Sequence, residues 1–185
     1  MSRAISIISP YADPTVTSPR AVLIGAPGSG KSTVGSALAE RWDVEFRDSD
    51  VDIERRTGRS ISDIFVDEGE AAFRSLEAVA VEDALGQCAG VVALGGGAIT
   101  SETTRELLRA QRVVWLRVGL TAAAARVGLS RDRPLLVGNV RSTLLRLMQQ
   151  RAPWYESVAS LIVDTDDKDV DAVVDEIVLG LGEGP

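Results

Sequence analysis

Short apolar runs alternate with amphipathic segments along most of the chain. The first run, residues 21–24, is continuously apolar and ends at Gly25, which predicts a strand buried on both faces. After it, Val34, Leu38 and Trp42 recur at helical spacing. Further strands are predicted at residues 44–47, 90–94, 113–116 and 161–163, and further helices at residues 61–85 (with a break at 67–69), 102–110, 140–150 and 169–179. This alternation predicts a three-layer α/β fold, with a central parallel sheet of about five strands flanked by helices.

Two segments fall outside this alternation. Residues 1–19 are rich in Ser, Thr and Pro, so we expect a flexible N-terminal extension and a single domain over residues 20–185. A helix beginning near Thr121, whose side chain we expect to cap it, gives way to a charged stretch around Arg133, which precedes a proline. Because proline disfavours helix at the preceding residue, we interpret residues 129–139 as a mobile lid.

Composition narrows the classes of function. The apolar fraction of 45% and charged fraction of 25% are those of a globular protein, and the net charge of -7 argues against nucleic acid as a partner. The absence of histidine excludes a Ser-His-Asp triad, Cys-His chemistry and a His-ligated zinc site. We interpret the single cysteine, Cys88, as uninvolved in chemistry. No segment has the apolar length of a signal peptide or a membrane span, so we expect a cytoplasmic protein.

Residues 25–32 match the phosphate-binding pattern G-x-x-x-x-G-K-[ST] between a predicted strand and a predicted helix. Glycines in this loop allow backbone amides to turn onto phosphate oxygens, and the helix N-terminus adds partial positive charge. In such a loop Lys31 reaches the β- and γ-phosphates and Ser32 ligates Mg²⁺. The alternative is a simple glycine turn feeding a helix, but the complete pattern favours an ATP-dependent phosphotransferase. The expected nucleotide-binding residues of the loop are Gly28, Ser29, Gly30, Lys31, Ser32 and Thr33.

Two aspartates follow the second predicted strand. Asp48 and Asp50 lie at the carboxyl edge of the sheet, where ligands of open α/β folds bind. One carboxylate could face Mg²⁺ and the other an acceptor hydroxyl, a division of roles that phosphoryl transfer uses. The alternative is an N-cap for a helix beginning near Val51, and Asp50 could do both.

Glycines and arginines elsewhere leave two interpretations open. Gly95-Gly96-Gly97 follows a predicted buried strand, either because the backbone approaches a ligand there or because a flexible turn leads into the next helix. Arg74, Arg133 and Arg151 could each be an ordinary solvated side chain. Taken one at a time, none of them identifies a site.

The order of the motifs along residues 20–180 resembles the shikimate kinase family. The phosphate loop alone is typical of a whole superfamily, whereas the ordered set of motifs points to this family within it. The resemblance implies a P-loop kinase fold and transfer of the ATP γ-phosphoryl group to the 3-hydroxyl of shikimate, in the pathway to chorismate and aromatic amino acids. Besides the loop, the motifs are Asp48-Ser49-Asp50, Phe73-Arg74-Ser75-Leu76-Glu77, Leu94-Gly95-Gly96-Gly97-Ala98, Arg133-Pro134-Leu135-Leu136 and Arg151-Ala152-Pro153-Trp154-Tyr155.

The resemblance also implies roles for single residues. Asp50 would contact the shikimate hydroxyls as the candidate base, and Asp48 would serve Mg²⁺ together with Ser32. The carboxylate of shikimate would be held by Arg74, Arg151 and the backbone amide of Gly96, with bidentate pairing as the physical reason for arginine. The expected substrate-binding residues are Asp50, Arg74, Gly95, Gly96, Gly97 and Arg151.

Two further arginines gain roles from the same resemblance. Arg133 would fold over the γ-phosphate from the lid and stabilise the transition state, and Arg126 would stack on adenine. Some relatives place a proline on the other face of adenine, but the matching residues 167–170 contain none. A substrate-binding helical region is expected at residues 50–78. Its wall would consist of Ile61, Phe65, Phe73 and Glu77, together with Leu135.

Two rival functions share the phosphate loop. One is another small-molecule P-loop kinase, of the gluconate or nucleoside-monophosphate type, and the other is a nucleotide-dependent switch. The group of Asp50, Arg74, Gly96 and Arg151 suits a small ring that carries both hydroxyls and a carboxylate, and provides no obvious slot for a nucleobase. We therefore expect ATP and shikimate as substrates, Mg²⁺ as the cofactor and a monomeric enzyme.

Overall fold

A five-stranded parallel sheet lies at the centre of the computed structural model, which describes residues 18–128 and 140–182. The strands are β1 (Ala21–Ile24), β2 (Phe46–Asp48), β3 (Val91–Ala93), β4 (Val113–Arg117) and β5 (Leu161–Asp164). They lie side by side in the order β2-β3-β1-β4-β5, and every pairing is parallel. The predicted parallel sheet is confirmed, with the strand that precedes the phosphate loop in the middle.

Helices connect and cover these strands. In the described ranges they are α1 (Lys31–Trp42), α2 (Ser49–Thr57), α3 (Ile61–Asp67), α4 (Gly69–Gln87), α5 (Glu102–Leu108), α6 (Leu120–Gly128), α7 (Val140–Val158) and α8 (Val170–Gly180). A single turn of 3-10 helix, Ala98–Thr100, lies between β3 and α5. None of the described helices is long and apolar enough to cross a membrane.

Both faces of β1 are covered, as its continuous apolar run predicts. Val22 and Ile24 pack in one core cluster with side chains of α4, α5 and α7, whereas Ala21 and Leu23 pack in another with side chains of α1 and α8. All four side chains are at most 2% exposed. Because alternate residues of a strand point to opposite faces, these two clusters lie on opposite sides of the sheet. The three-layer α/β fold is thereby confirmed.

Several element boundaries differ from the sequence prediction, and those of β2 and α6 have clear physical reasons. Strand β2 begins at Phe46 rather than residue 44, because the amide of Val44 still donates to the carbonyl of Ala39 and closes the end of α1. Helix α6 begins at Leu120, so Thr121 lies inside the helix and is not its N-cap. The predicted cap is replaced by Gly119, whose carbonyl accepts the first helical hydrogen bond from Ala123 at 2.9 Å.

The largest difference concerns the helix predicted to end at residue 150. Helix α7 continues to Val158 and contains Pro153. Proline in a helix removes one hydrogen bond and usually ends or kinks it. Here Arg151 and Tyr155, one turn apart on either side of the proline, both donate to the carbonyl of Gly96. These tertiary contacts help hold α7 helical through the proline.

The carboxyl ends of β1, β2 and β3 meet at one edge of the sheet. This edge carries the phosphate loop, Asp48 and the triple glycine. The predicted lid at residues 129–139 and most of the predicted extension lie outside the described residues. At the start of the described chain Pro19 is buried, and the hydroxyl of Ser18 donates to Gln111 Oε1 at 2.8 Å.

Candidate active site

The phosphate loop joins the end of β1 to the start of α1. Gly28 has a φ of 80°, a left-handed conformation that favours glycine, and a side chain there would lie 2.8 Å from the carbonyl oxygen of Ala123 on α6. Gly30 precedes α1 and has no side chain to cap it, so the first amides of the helix face the loop. Lys31 Nζ donates to the carbonyls of Gly25 at 3.0 Å and Ala26 at 3.2 Å, which folds the ammonium group over the loop.

Asp48, the last residue of β2, connects the phosphate loop to the start of α2. One carboxylate oxygen accepts from the hydroxyl of Ser32 at 2.6 Å, and the other accepts from the backbone amide of Asp50 at 3.0 Å. Asp48 is therefore the N-cap of α2, which begins at Ser49 rather than near Val51. The prediction that Asp50 could serve as the cap is wrong, because Asp50 already lies in the first helical turn.

Asp50 faces the same cavity as the phosphate loop. This cavity has a volume of about 160 Å³. It is lined by Gly28, Gly30, Lys31, Ser32, Thr33, Asp48, Asp50, Leu94 and Gly96. The fold thus brings most of the predicted phosphate-binding and metal-binding residues, Asp50 and Gly96 to one place. Gly95, Gly97, Arg74 and Arg151 are not among the residues that line this cavity.

Close packing, rather than a need for a flexible turn, explains glycine at positions 95 and 97. A side-chain carbon on Gly95 would overlap Asp50 Oδ1, and one on Gly97 would overlap the guanidinium of Arg74. The amide of Gly95 also donates to Ser49 Oγ at 2.9 Å. The triple glycine is therefore the surface on which two of the predicted substrate-binding side chains rest.

Arg74, on α4, is held by two glutamates. Its Nη1 donates to Glu77 Oε2 at 2.5 Å, and its Nη2 donates to Glu70 Oε1 at 3.2 Å. Burial lowers the pKa of Arg74, but attraction and hydrogen bonding by Glu77 and Glu70 outweigh burial and raise it overall. The guanidinium therefore stays charged, in an orientation set by these two carboxylates.

Glu77 is a buried carboxyl group, only 3% exposed. Burial raises its pKa, the neighbouring Arg74 and Arg151 lower it, and the charge of Asp50 raises it. The direction is upward overall because Glu77 is more buried than Arg74, so the loss of hydration exceeds what the ion pair returns. Asp50 and both arginines therefore surround Glu77, which brings side chains of α2, α4 and α7 together.

Arg151 and Tyr155 approach this pocket from α7. Arg151 Nη1 donates to the carbonyl of Gly96 at 2.8 Å, and the hydroxyl of Tyr155 donates to the same oxygen at 2.7 Å. Tyr155 is absent from the residues predicted as the site. Its spacing of four residues from Arg151 would place both on one helical face, but Pro153 argued against a helix there.

Sequence and structure comparisons agree on one family. A family model described as Shikimate kinase matches residues 27–181. A shikimate kinase from Thermobifida fusca is 56% identical over 149 residues, which cover 80% of this chain and 87% of that protein. The chain belongs to the shikimate kinase family. The predicted family and enzyme class are confirmed: the chain is an ATP-binding kinase of aromatic amino acid biosynthesis.

Solved structures of two kinases share the fold of this chain. Shikimate kinase from Acinetobacter baumannii in complex with shikimate has a TM-score of 0.86 and 37% identity, covering 91% of this chain and 95% of that chain. A gluconokinase from Sinorhizobium meliloti has a TM-score of 0.58 and 21% identity, covering 91% of this chain and 93% of that chain. The second likeness shows the fold alone. The first likeness agrees with the family that the sequence comparisons show.

Three groups of residues remain among those that the family resemblance singles out. Arg126, on α6, donates to the carbonyls of Gly28 at 3.2 Å and Thr165 at 2.9 Å, so it joins the phosphate loop to the segment after β5. Phe65 and Phe73 lie with their ring centroids 4.6 Å apart, in a cluster that also contains Ile61. Arg133 and Leu135 lie outside the described residues.

Proposed function

We propose that this chain transfers the γ-phosphoryl group of ATP to the 3-hydroxyl of shikimate by means of the residues gathered at the carboxyl edge of the sheet. The observation that carries the proposal is the shared cavity, in which Asp50 faces the phosphate loop. A donor phosphate on the loop and an acceptor hydroxyl at Asp50 would therefore be neighbours. Phosphoryl transfer depends mainly on such positioning and on stabilisation of charge.

The phosphate half of the site consists of residues 25–33. Its backbone amides and the N-terminus of α1 would hold the phosphates, and Lys31 would exchange its two carbonyl partners for phosphate oxygens. Arg126 would contact adenine next to the loop. We retain Arg133 as the residue that covers the γ-phosphate, on the basis of the family motif alone.

Ser32 and Asp48 fit a Mg²⁺ site. Their side-chain oxygens are 2.6 Å apart at the edge of the cavity, and the described ranges contain no cluster of three or more His, Cys, Asp or Glu that would enclose a metal within the protein. Mg²⁺ usually takes one or two protein oxygens and completes its shell with phosphates and water, so this small donor set is appropriate. Bound there, Mg²⁺ would neutralise charge on the β- and γ-phosphates.

The acceptor half of the site consists of Asp50, Arg74, Gly96, Glu77 and Arg151. Two guanidinium groups and a backbone amide would bind the carboxylate of shikimate, while Asp50 would orient the 3-hydroxyl and accept its proton. Glu77 fixes Arg74 by a hydrogen bond of 2.5 Å. The acceptor half thus combines two arginines with two carboxyl groups.

The test is ADP release by the purified protein with MgATP, measured with shikimate, gluconate or a nucleoside monophosphate. We expect ADP release to rise with shikimate alone and to require Mg²⁺. A rise with another acceptor and none with shikimate would refute the assignment of Arg74 and Arg151. ADP release that is the same with and without each acceptor would instead favour a nucleotide-dependent switch.

Cytoplasmic location and a monomeric enzyme also remain proposals. They are supported by the family membership. Analytical ultracentrifugation of the purified protein would test the oligomeric state, since a monomer should sediment with a mass near 19.6 kDa.

A further inference from the structure

Gly96, through its carbonyl oxygen and the rest of its backbone, contacts both halves of the site. It accepts two hydrogen bonds from α7, one from Tyr155 and one from Arg151. On its other side Gly96 lies against the phosphate loop, since a side-chain carbon there would be 3.2 Å from Pro27 Cδ and 3.3 Å from the carbonyl oxygen of Gly25. A carbonyl oxygen has two lone pairs, so Tyr155 and Arg151 together occupy its hydrogen-bonding capacity.

We propose that Tyr155 is a positioning residue, whose hydroxyl fixes the peptide group of Gly96 and thereby the guanidinium of Arg151 for binding the acceptor carboxylate. The inference rests on the proposed function. Arg151 holds the carbonyl of Gly96 with one nitrogen of its guanidinium. Its other N–H groups can be directed at a carboxylate only while the Gly96 peptide keeps its orientation. Tyr155 supplies a second restraint on the orientation, and its hydroxyl also accepts a hydrogen bond from Arg151 itself.

The surroundings of Tyr155 suit a rigid restraint. The residue is only 2% exposed, and its ring stacks on Trp115 of β4 with centroids 5.6 Å apart and an interplanar angle of 27°. Burial raises the pKa of Tyr155 to about 12, partly opposed by the neighbouring Arg151. The hydroxyl therefore keeps its proton and remains a donor at every pH at which the enzyme works.

The test is the Tyr155→Phe variant, which removes the hydroxyl and retains the ring. Loss of one of two hydrogen bonds to Gly96 should raise the KM for shikimate about three- to tenfold. The kcat and the KM for ATP should change by less than about twofold, because the phosphate loop and Asp50 are untouched. The KM for shikimate of the variant, divided by that of the parent, should be constant between about pH 6 and 9, since the hydroxyl does not titrate in that range.

The matched control is Trp115→Phe, which disturbs the same stack without removing a hydrogen bond to Gly96. We expect it to lower the melting temperature and to raise the KM for shikimate less than Tyr155→Phe does, because the hydrogen bond from Tyr155 to Gly96 remains. If both variants raise the KM equally, or if Tyr155→Phe lowers only the melting temperature, Tyr155 is structural and the inference is wrong. A parent enzyme that does not respond to shikimate would instead refute the proposed function, so the two failures are distinguishable.

Discussion

The phosphate half and the acceptor half of the site are built in different ways. The phosphate half is one continuous loop between β1 and α1, in which backbone amides, a lysine and a hydroxyl follow each other directly. The acceptor half takes Asp50 from α2, Arg74 from α4 and Arg151 from α7, and places them around the triple glycine. Local backbone geometry thus forms one half, and packing among three helices forms the other. Substitutions in the acceptor half should change shikimate binding while leaving ATP binding intact.

The largest effect is expected where the two halves meet. In Asp50→Asn the acceptor hydroxyl loses its proton acceptor, so kcat should fall about 10²- to 10⁴-fold while ATP still binds. Steady-state kinetics together with ATP titration would measure this. Asp175→Asn is the control, because Asp175 forms an ion pair with Arg41 on the surface, remote from the cavity. An unchanged kcat in Asp50→Asn would remove Asp50 from the mechanism.

A selective effect on the acceptor half is expected from Arg151→Lys. Lysine keeps the charge but cannot hold Gly96 and a carboxylate with one planar fork, so the KM for shikimate should rise about 10- to 100-fold. The KM for ATP should stay the same. Arg109→Lys serves as the control, since Arg109 is exposed and pairs only locally with Glu106. An equal rise in both KM values would show that the two halves are not separable.

Two glycines give a smaller and purely steric comparison. Gly97→Ala should displace the guanidinium of Arg74 and raise the KM for shikimate about tenfold. Backbone strain does not contribute, because alanine readily adopts the φ of -92° at this position. Gly86→Ala, on α4, places its side chain in open space and should raise the free energy of unfolding by about 0.5 kcal/mol with unchanged kinetics. Kinetics of Gly97→Ala that match those of the Gly86→Ala control would contradict the packing argument.

The smallest effect concerns stability and pH. Burial raises the pKa of Glu77 above its ordinary value of 4.5, so the folded protein binds this proton more tightly than the unfolded chain does. Ionising Glu77 therefore costs stability, and this cost appears as the pH rises above about 4.5. Glu77→Gln should gain stability relative to the parent as the pH increases from about 4 to 7. Thermal melts of both proteins across that range would measure the difference in stability between variant and parent. If the advantage of the variant shrinks as the pH rises, the pKa of Glu77 is not raised.

The two halves also differ in how far they can be predicted from the sequence. The phosphate loop is contiguous, so its pattern alone predicts its residues, its flanking elements and its ligand. Asp48 and Asp50 are recognisable at the end of a strand, but only the structure shows that Asp48 caps α2 and accepts from Ser32. The reasons for glycine at positions 95 and 97 are side chains distant in sequence, so the local pattern leaves them ambiguous.

The sequence by itself determined the sheet, the helices on both of its faces, the phosphate loop and the family, because these depend on local periodicity and on contiguous or ordered motifs. The tertiary structure alone decided that α7 continues through Pro153, that Tyr155 reaches Gly96, and that Glu77 lies buried between arginines of two helices. The physical reason is the same in each case. Hydrogen bonds and burial between residues distant along the chain outweigh local preferences, and no local pattern records them.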